Sequence, residues 1–216
     1  MILSKQTIQQ YMTVGYIEIE PFNPAQLKAN SYDVTLGNWF YQVVNEGGER
    51  VYYGPKWYDD GEKVPIHFGV GLLGMTKAYI ATRGNLIGQL RAKSTTGREF
   101  WTVCQDAGFG DIGYRGHWTA EFSSHLLGTT SITVGQAFGQ IVFHLTTTAT
   151  EEYSGQYQAV EFPACMVPKK YRDKVQPWED APVASPEVLE AYRAWKAGEI
   201  QAVPWAEAKQ RLRGEA

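Results

Sequence analysis

One stretch of the chain, residues 91–121, concentrates residue types that bind anions and transfer protons. Between positions 83 and 115 there are five cations and three acids, a local charge of +2 within a chain of formal net charge −3. Residues 93–98 read KSTTGR and combine hydroxyl groups, a glycine and two flanking cations. Such a run can place backbone N–H groups, hydroxyls and positive charge around phosphate oxygens. An ordinary polar turn is the competing interpretation, and the residue order is not that of a Walker A loop.

Glu121 is the most unusual residue of this stretch. Alternation along a predicted strand puts Glu121 on the same face as Thr119, opposite the face of Trp118, Ala120 and Phe122. A carboxylate on a covered face needs a partner, because burial raises its pKa and a neighbouring cation lowers it. Glu121 is therefore either a buried or cavity-lining acid–base group or a solvated strand glutamate.

Several familiar site types are absent from the sequence. The four histidines are scattered and the zinc-deaminase signature, H-x-E with P-C-x-x-C, does not occur, so we expect no zinc and no other metal held by the protein. A G-x-S-x-G nucleophile turn and a Rossmann glycine fingerprint are also missing. Cys104 is predicted to be a small buried apolar residue rather than a nucleophile.

Composition limits the partners and the location. Apolar residues make up 44% of the 216 residues and charged residues 20%, as in an ordinary globular protein. The negative net charge provides no general attraction for nucleic acid. No signal peptide and no apolar run of membrane-spanning length are visible. We therefore expect a cytoplasmic protein with no nucleic-acid or membrane partner.

The elements that must position these residues are mostly short strands. Residues 4–14 form a predicted helix, with Ser4 as N-cap and Gly15 after its end. Between about 31 and 162, short segments separated by glycine-bearing turns predict a mainly β barrel or jelly-roll-like sandwich. The predicted strands are 17–19, 32–36, 39–44, 86–90, 118–122, 131–134 and 140–145.

The composition changes at Pro163. Five prolines within 163–186 predict an extended strap or linker. A helix from Ser185 to Ala197 follows, and a second one from Pro204 through Leu212. The predicted organisation is a β domain over residues 1–162 and a proline-rich, helical extension over 163–216.

At these residues the chain resembles the dCTP deaminase branch of the dUTPase superfamily, in four ordered pieces. After the opening helix, residues 30–40 read NSYDVTLGNWF, similar to that family's S-x-D-V-x-L-G motif. KSTTGR at 93–98 resembles the family's second motif. The other two pieces are DAGFGDIGYRGHWTAEF at 106–122 and GQAFGQIVFHL at 135–145. The resemblance covers roughly residues 1–160, and its motifs keep the family's spacing.

This resemblance implies a distorted β-barrel or jelly-roll-like fold of the dUTPase type, and a homotrimer with nucleotide sites between subunits. It implies zinc-independent deamination of dCTP, or a close deoxycytidine nucleotide, to dUTP and ammonia, with Glu121 as general acid/base. Ser94 and Arg98 match residues that orient the water and the carboxylate, and Asp111 matches the residue at the deoxyribose 3′-OH. Mg²⁺ is implied only as a companion of the triphosphate.

Further positions match the family's nucleotide contacts. The phosphates are expected to lie against Lys93, Thr95 and Thr96. The remaining matched positions are Gly97, Asp106, Ala107, Trp118, Thr119, Ala120, Gln140, Tyr153 and Gln156.

The chain also departs from the family pattern. Asp106 stands where the family usually has threonine. The closing segment at 152–158 lacks the lysine that the family places against the phosphates. One register matches Tyr153 and Gln156, with glutamate in place of the lysine at 152. The other matches residues 157 and 158, with Gln156 in place of the lysine.

Three functions stay open on these residues. Glu121 lies ten positions after Asp111, where plain dUTPases carry an apolar residue, and this favours a deaminase. A dUTPase, or a bifunctional enzyme that takes dCTP to dUMP and pyrophosphate, is supported by Asp111 and residues 111–116. A non-catalytic nucleotide sensor is favoured by the missing lysine and the long tail.

Overall fold

The computed structural model describes residues 1–158, 162–183, 193–194 and 197, with the backbone alone at Asp106. The predicted amino-terminal helix is confirmed as α1, Lys5–Thr13. The Ser4 hydroxyl accepts a hydrogen bond from the backbone N–H of Thr7, as expected of an N-cap. Ile8 is the buried residue of α1 and attaches the helix to the core.

Strands account for most of the described chain. A second helix, α2, is a single turn over Ser94–Arg98. The strands within the described ranges are β1 Ile17–Glu20, β2 Tyr32–Thr35, β3 Trp39–Glu46, β4 Glu49–Trp57, β5 Lys63–His67, β6 Gly71–Thr82, β7 Leu86–Ala92, β8 Trp101–Val103, β9 Phe109–Gly110, β10 Arg115–Ser124, β11 Thr129–Thr133 and β12 Ala137–Leu145.

These strands form antiparallel sheets around one apolar core. The largest sheet has the order β4-β3-β6-β10-β8, with β1 also paired to β6. A four-stranded sheet has the order β2-β12-β7-β9, and β5 pairs with β11. Phe122 from the first sheet and Phe138 from the second meet in the core at a ring distance of 5.1 Å. The mainly β, distorted jelly-roll-like prediction is confirmed, although the described sheets do not close into a barrel.

The amino end of the described chain is joined to the four-stranded sheet by backbone hydrogen bonds. At the amino end, Leu3 donates a backbone hydrogen bond to Phe143, and Leu145 donates one to Met1. Residues 1–3 therefore lie beside residues 143–145 of β12, although about 140 residues separate the two segments in the sequence.

The strap, residues 162–183, lies on the outer face of the largest sheet. Its buried residues Met166 and Val167 pack against β3, β4 and β6. The Tyr171 ring lies 5.1 Å from the Tyr52 ring, and the carbonyl of Gln176 accepts a hydrogen bond from Gly54. The predicted strap is thus docked rather than free. The division of the chain at residue 162 stays a prediction.

The structure adds strands to those predicted in the middle of the chain, and the predicted tail helices lie mostly outside the described residues. Five strands were not predicted, namely β4, β5, β6, β8 and β9. Of the predicted tail helix over 185–197, the structure describes Arg193, Ala194 and Ala197, whose N–H donates to the carbonyl of Arg193. The rest of that helix and the one predicted over 204–212 lie outside the described residues.

Candidate active site

The side chains of strand β10 point alternately into the core and to the opposite face, where a cavity lies. Trp118, Ala120 and Phe122 are buried in the core, whereas Thr119 and Glu121 are half-buried on the opposite face. This is the alternation predicted from the sequence, and it places the Glu121 carboxyl group on the face that the strap covers.

A cavity of about 820 Å³ lies on this face. Its walls come from β3, β4, β6 and β10, from residues 105–111, from the closing segment and from the strap. Among the residues predicted for the site, those that line it are Ala107, Asp111, Trp118, Thr119, Glu121 and Tyr153. The structure therefore brings the two predicted acids Glu121 and Asp111 to one cavity.

Burial sets the chemistry of Glu121. Removal from water raises the pKa of its carboxyl group from 4.5 to about 7, and only a backbone hydrogen bond opposes the rise. No ion pair to Glu121 is formed by the residues that the structure describes. A carboxyl group in this condition can both accept and donate a proton near neutral pH. Asp111, in contrast, is exposed at the rim of the same cavity.

One residue of the cavity wall, Tyr114, was not predicted from the sequence. The Tyr114 ring lies 5.0 Å from that of Trp118 and 5.7 Å from that of Tyr153. Burial raises the pKa of the Tyr114 hydroxyl, and the negative charge of Glu121 raises it further. Tyr114 follows Asp111 by three positions, and this spacing is the signal that could have found it.

The loop before Asp111 is held in an unusual backbone conformation. Cys104 and Gln105 have φ of 73° and 40°, in the left-handed region that non-glycine residues rarely adopt. Next to them, a Cβ on Gly108 would lie 2.2 Å from the carbonyl oxygen of Leu90. This close approach fixes residues 105–108 as part of the cavity wall. Cys104 itself is buried, as predicted.

The KSTTGR run does not reach this cavity within one chain. It forms the whole of α2 together with the N-cap Lys93, and Ser94, Thr95, Gly97 and Arg98 are exposed there. The fold already uses the Thr96 hydroxyl, because this buried side chain donates a hydrogen bond to the carbonyl of Phe138. The run is thus a polar helical turn, and none of its residues lines the Glu121 cavity.

Lys93 and Gln140 belong to a polar cluster beside α2. The Lys93 ammonium group lies 2.5 Å from the Asp33 carboxylate, and Lys28 lies 3.8 Å from the same carboxylate. The Ser31 hydroxyl donates to the Gln140 side chain at 3.2 Å. Asp33 is buried, and its second oxygen, Oδ1, has no hydrogen-bond partner among the residues that the structure describes. Neither Lys93 nor Gln140 lines the Glu121 cavity.

The closing segment divides between the cavity and the strap. Tyr153 and Tyr157 both line the cavity, so each of the two predicted registers places a tyrosine there. The Gln156 side chain instead accepts a hydrogen bond from the backbone N–H of Lys169. Gln158 donates to the carbonyls of Gly113 and Tyr153.

Two further observations concern metals and membranes. No group of three or more His, Cys, Asp or Glu side chains that could hold a metal ion occurs among the described residues. None of the helices in the part of the chain that the structure describes is long and apolar enough to cross a bilayer.

Comparison with known proteins identifies the family. The sequence pattern described as dCTP deaminase-like matches residues 2–146, about two thirds of the chain. The chain belongs to the dCTP deaminase-like family.

Relatives of this dCTP deaminase-like protein carry a more specific name. A protein of Mycobacterium avium named "dCTP deaminase, dUMP-forming" is 31% identical over 163 residues, which are 71% of this chain and 85% of that protein. One of Methanoregula boonei with the same name is 28% identical over 173 residues, which are 74% of this chain and 90% of the relative.

A solved structure confirms the fold. The 2′-deoxycytidine 5′-triphosphate deaminase from Agrobacterium tumefaciens superposes with a TM-score of 0.52 at 18% identity. The match covers 67% of this dCTP deaminase-like chain and 48% of the other chain. At this identity the likeness concerns the fold, which is the mainly β architecture described above.

Proposed function

We propose that this chain binds dCTP in the Glu121 cavity and converts it to dUMP, pyrophosphate and ammonia in two hydrolytic steps. The observation that carries the proposal is one cavity that holds both Asp111 and a glutamic acid with a pKa near 7. The name of the relatives, which specifies dUMP, supports this product better than dUTP, the product given first by the sequence. In this proposal dUTP is the intermediate.

Deamination is assigned to Glu121. Its carboxylate accepts a proton from a water molecule, and the oxygen of that water bonds to C4 of the cytosine ring. Glu121 passes the proton to ring N3 and then moves the proton of the new hydroxyl group to the amino group. The C4–N bond breaks, ammonia leaves and a uracil carbonyl remains. A pKa near 7 suits a group that must both take up and release protons at neutral pH.

Hydrolysis of the triphosphate is assigned to Asp111. Its exposed carboxylate at the cavity rim is suited to orient a second water molecule, whose oxygen bonds to the α-phosphorus. The bond between this phosphorus and the bridging oxygen breaks, which releases pyrophosphate and leaves dUMP. Mg²⁺ enters as part of the substrate and neutralises phosphate charge. Asp111 also matches the position that contacts the deoxyribose 3′-OH.

A homotrimer completes the proposed site. Within one chain Ser94 and Arg98 are exposed on α2 and line no part of the Glu121 cavity. Their proposed roles, which are to orient the water and the carboxylate, therefore require α2 of a neighbouring chain. Exposed apolar side chains close to α2 support such an interface, since large apolar groups are unfavourable in water. They are Phe100, Leu126 and Leu127.

Product analysis tests the proposed function. The full chain is incubated with dCTP and Mg²⁺, and nucleotides, pyrophosphate and ammonia are quantified over time. We expect equal amounts of dUMP, pyrophosphate and ammonia. Accumulation of dUTP without pyrophosphate would leave a deaminase alone, and no turnover of dCTP or dUTP would favour the nucleotide sensor.

Two variants separate the steps. Glu121→Gln should lower the rate of ammonia release from dCTP by about 10²-fold or more, because the amide cannot accept the proton. The same variant should still hydrolyse added dUTP. Asp111→Asn should lower pyrophosphate release from dUTP. If Glu121→Gln turns over dCTP within a few-fold of the parent, Glu121 is not the general base.

A further inference from the structure

The closing segment lacks the lysine that the family places against the phosphates, and neither residue that stands in its place supplies a positive charge. The first of the two candidate positions is Glu152, whose side chain packs against Gly113. A Cβ placed on Gly113 would lie only 2.5 Å from the Cβ of Glu152. At the second, Gln156 is held by the backbone of Lys169. Neither residue lines the Glu121 cavity, so the phosphate end of a nucleotide in this cavity needs other cations.

A second cavity, of about 540 Å³, adjoins the first at the strap. Four residues line both cavities: Arg50, Tyr52, Tyr157 and Pro168. The second cavity adds Gln156 from the closing segment and Lys169, Lys170 and Tyr171 from the strap. A ligand can therefore extend from the Glu121 cavity past Tyr52 to the strap lysines.

The charge of the second cavity is wholly positive. Its lining contains three cations, namely Arg50, Lys169 and Lys170, and no acid. All three are exposed, and none forms an ion pair with another residue that the structure describes. Tyr52 and Tyr157, which carry hydroxyl groups, line the same cavity. Cations and hydroxyls without a competing carboxylate make a site for an anion with several oxygens.

The strap is fixed in place where it carries these lysines. Tyr171, which follows Lys170, packs on Tyr52 at a ring distance of 5.1 Å. The Lys170 ammonium group lies 4.8 Å from the centre of the Tyr171 ring. Arg172 donates hydrogen bonds to the carbonyls of Val167 and Gln156. The cations are therefore presented by an ordered backbone, which reduces the entropy lost on binding.

The distance between the two ends fits a nucleoside triphosphate. Strand β4, which carries Arg50, is three strands away from β10, about 14 Å across the sheet. The pairing also gives the offset along the strands. Leu73 of β6 pairs with Glu121 on one side and with Tyr41 of β3 on the other. Asn45, four residues further along β3, pairs with Arg50. That offset adds about 13 Å along the strands. An extended nucleotide, together with the reach of the two side chains, spans this separation.

We propose that Arg50, Lys169 and Lys170 bind the terminal phosphates of the nucleotide whose base lies at Glu121. This subsite rests on the proposed function and explains how the chain holds a triphosphate without the closing-segment lysine. It adds cations on the strap side of the phosphates to those expected from the KSTTGR run.

Calorimetric titration of the full chain tests the subsite without turnover. The ligands are the α,β-imido analogue of dUTP, which resists hydrolysis, then dUMP, and inorganic tripolyphosphate. The variants are Lys169→Gln/Lys170→Gln and Arg50→Gln. Lys174→Gln is the matched control, because Lys174 is an exposed lysine of the same strap that lines neither cavity.

We expect the double lysine variant to bind the imido analogue and tripolyphosphate at least about tenfold more weakly, while dUMP changes less than about twofold. Arg50→Gln should act in the same direction, and Lys174→Gln should leave all three affinities unchanged. Unchanged binding of the imido analogue overturns the subsite, and so does an equal loss for dUMP. Binding of tripolyphosphate but of neither nucleotide would keep the subsite and overturn the proposed function instead.

Discussion

Replacing Glu121 by glutamine should change how the stability of the protein depends on pH. Burial raises the pKa of Glu121 from 4.5 to about 7, so the folded chain keeps this proton in a range where the unfolded chain has lost it. Raising the pH from about 4.5 to 7 therefore lowers the free energy of unfolding. Each tenfold change in proton affinity is worth about 1.4 kcal/mol, so the stability lost above pH 7 is at most about 3.5 kcal/mol. The amide of Glu121→Gln has no such dependence.

Urea unfolding at about pH 4 and about pH 8 measures this difference, with protein concentrations matched because subunit association also stabilises the fold. Relative to the parent, Glu121→Gln should be about 1–3 kcal/mol more stable at the higher pH and nearly equal at the lower. Glu151→Gln, at an exposed loop position, is the control. Parallel pH curves for the parent and Glu121→Gln would refute the conclusion that Glu121 is held in a desolvated cavity. We also expect kcat/KM for dCTP to rise with pH through about 7, because Glu121 acts as a general base only when it is deprotonated.

Two further predictions concern the walls of the cavity. Gly108→Ala should destabilise the fold by about 1–3 kcal/mol and weaken nucleotide binding, because its Cβ would meet the Leu90 carbonyl, whereas Gly71→Ala has ordinary contacts of 3.5 Å. Thermal unfolding and calorimetry check this, and equal effects of the two variants would contradict it. Truncation after Lys170 should lower the Tm more than truncation after residue 183, because only the shorter chain loses the contacts of Tyr171 and its successors with β4. Equal melting temperatures would show that the strap does not brace the sheet.

The clearest strand signal in the sequence came from a strand with one face in the core. Strand β10 alternates along its whole length, and its pattern was visible from 118 to 122. Strand β6 was missed because the core covers one of its faces and the strap covers part of the other, which leaves a nearly continuous apolar run with glycines at 71 and 74. Strands β4 and β5 contain Pro55 and Pro65, which argue against a strand in a sequence-based interpretation.

The candidate site was predictable where its residues are close in sequence. Asp111, Thr119 and Glu121 come from one short segment, and the resemblance to a family marked them together. Arg50 lies about 70 positions earlier, and only the order β4-β3-β6-β10 brings it to the same cavity. Spacing along a chain also cannot tell whether two motifs meet within one copy. The KSTTGR run illustrates this, since α2 lies apart from Glu121.

The pairing of residues 1–3 with residues 143–145 has a consequence for synthesis of the protein. Residues 1–3 leave the ribosome about 140 residues before their partner strand β12. At about 5–20 residues per second this interval is on the order of ten seconds. Strand β12 also lies between β2 and β7 in the four-stranded sheet, so neither of these strands can pair with it before it is synthesised. The nascent chain exposes apolar strands throughout this interval, and chaperone supply and growth temperature should therefore govern how much of it reaches the folded state.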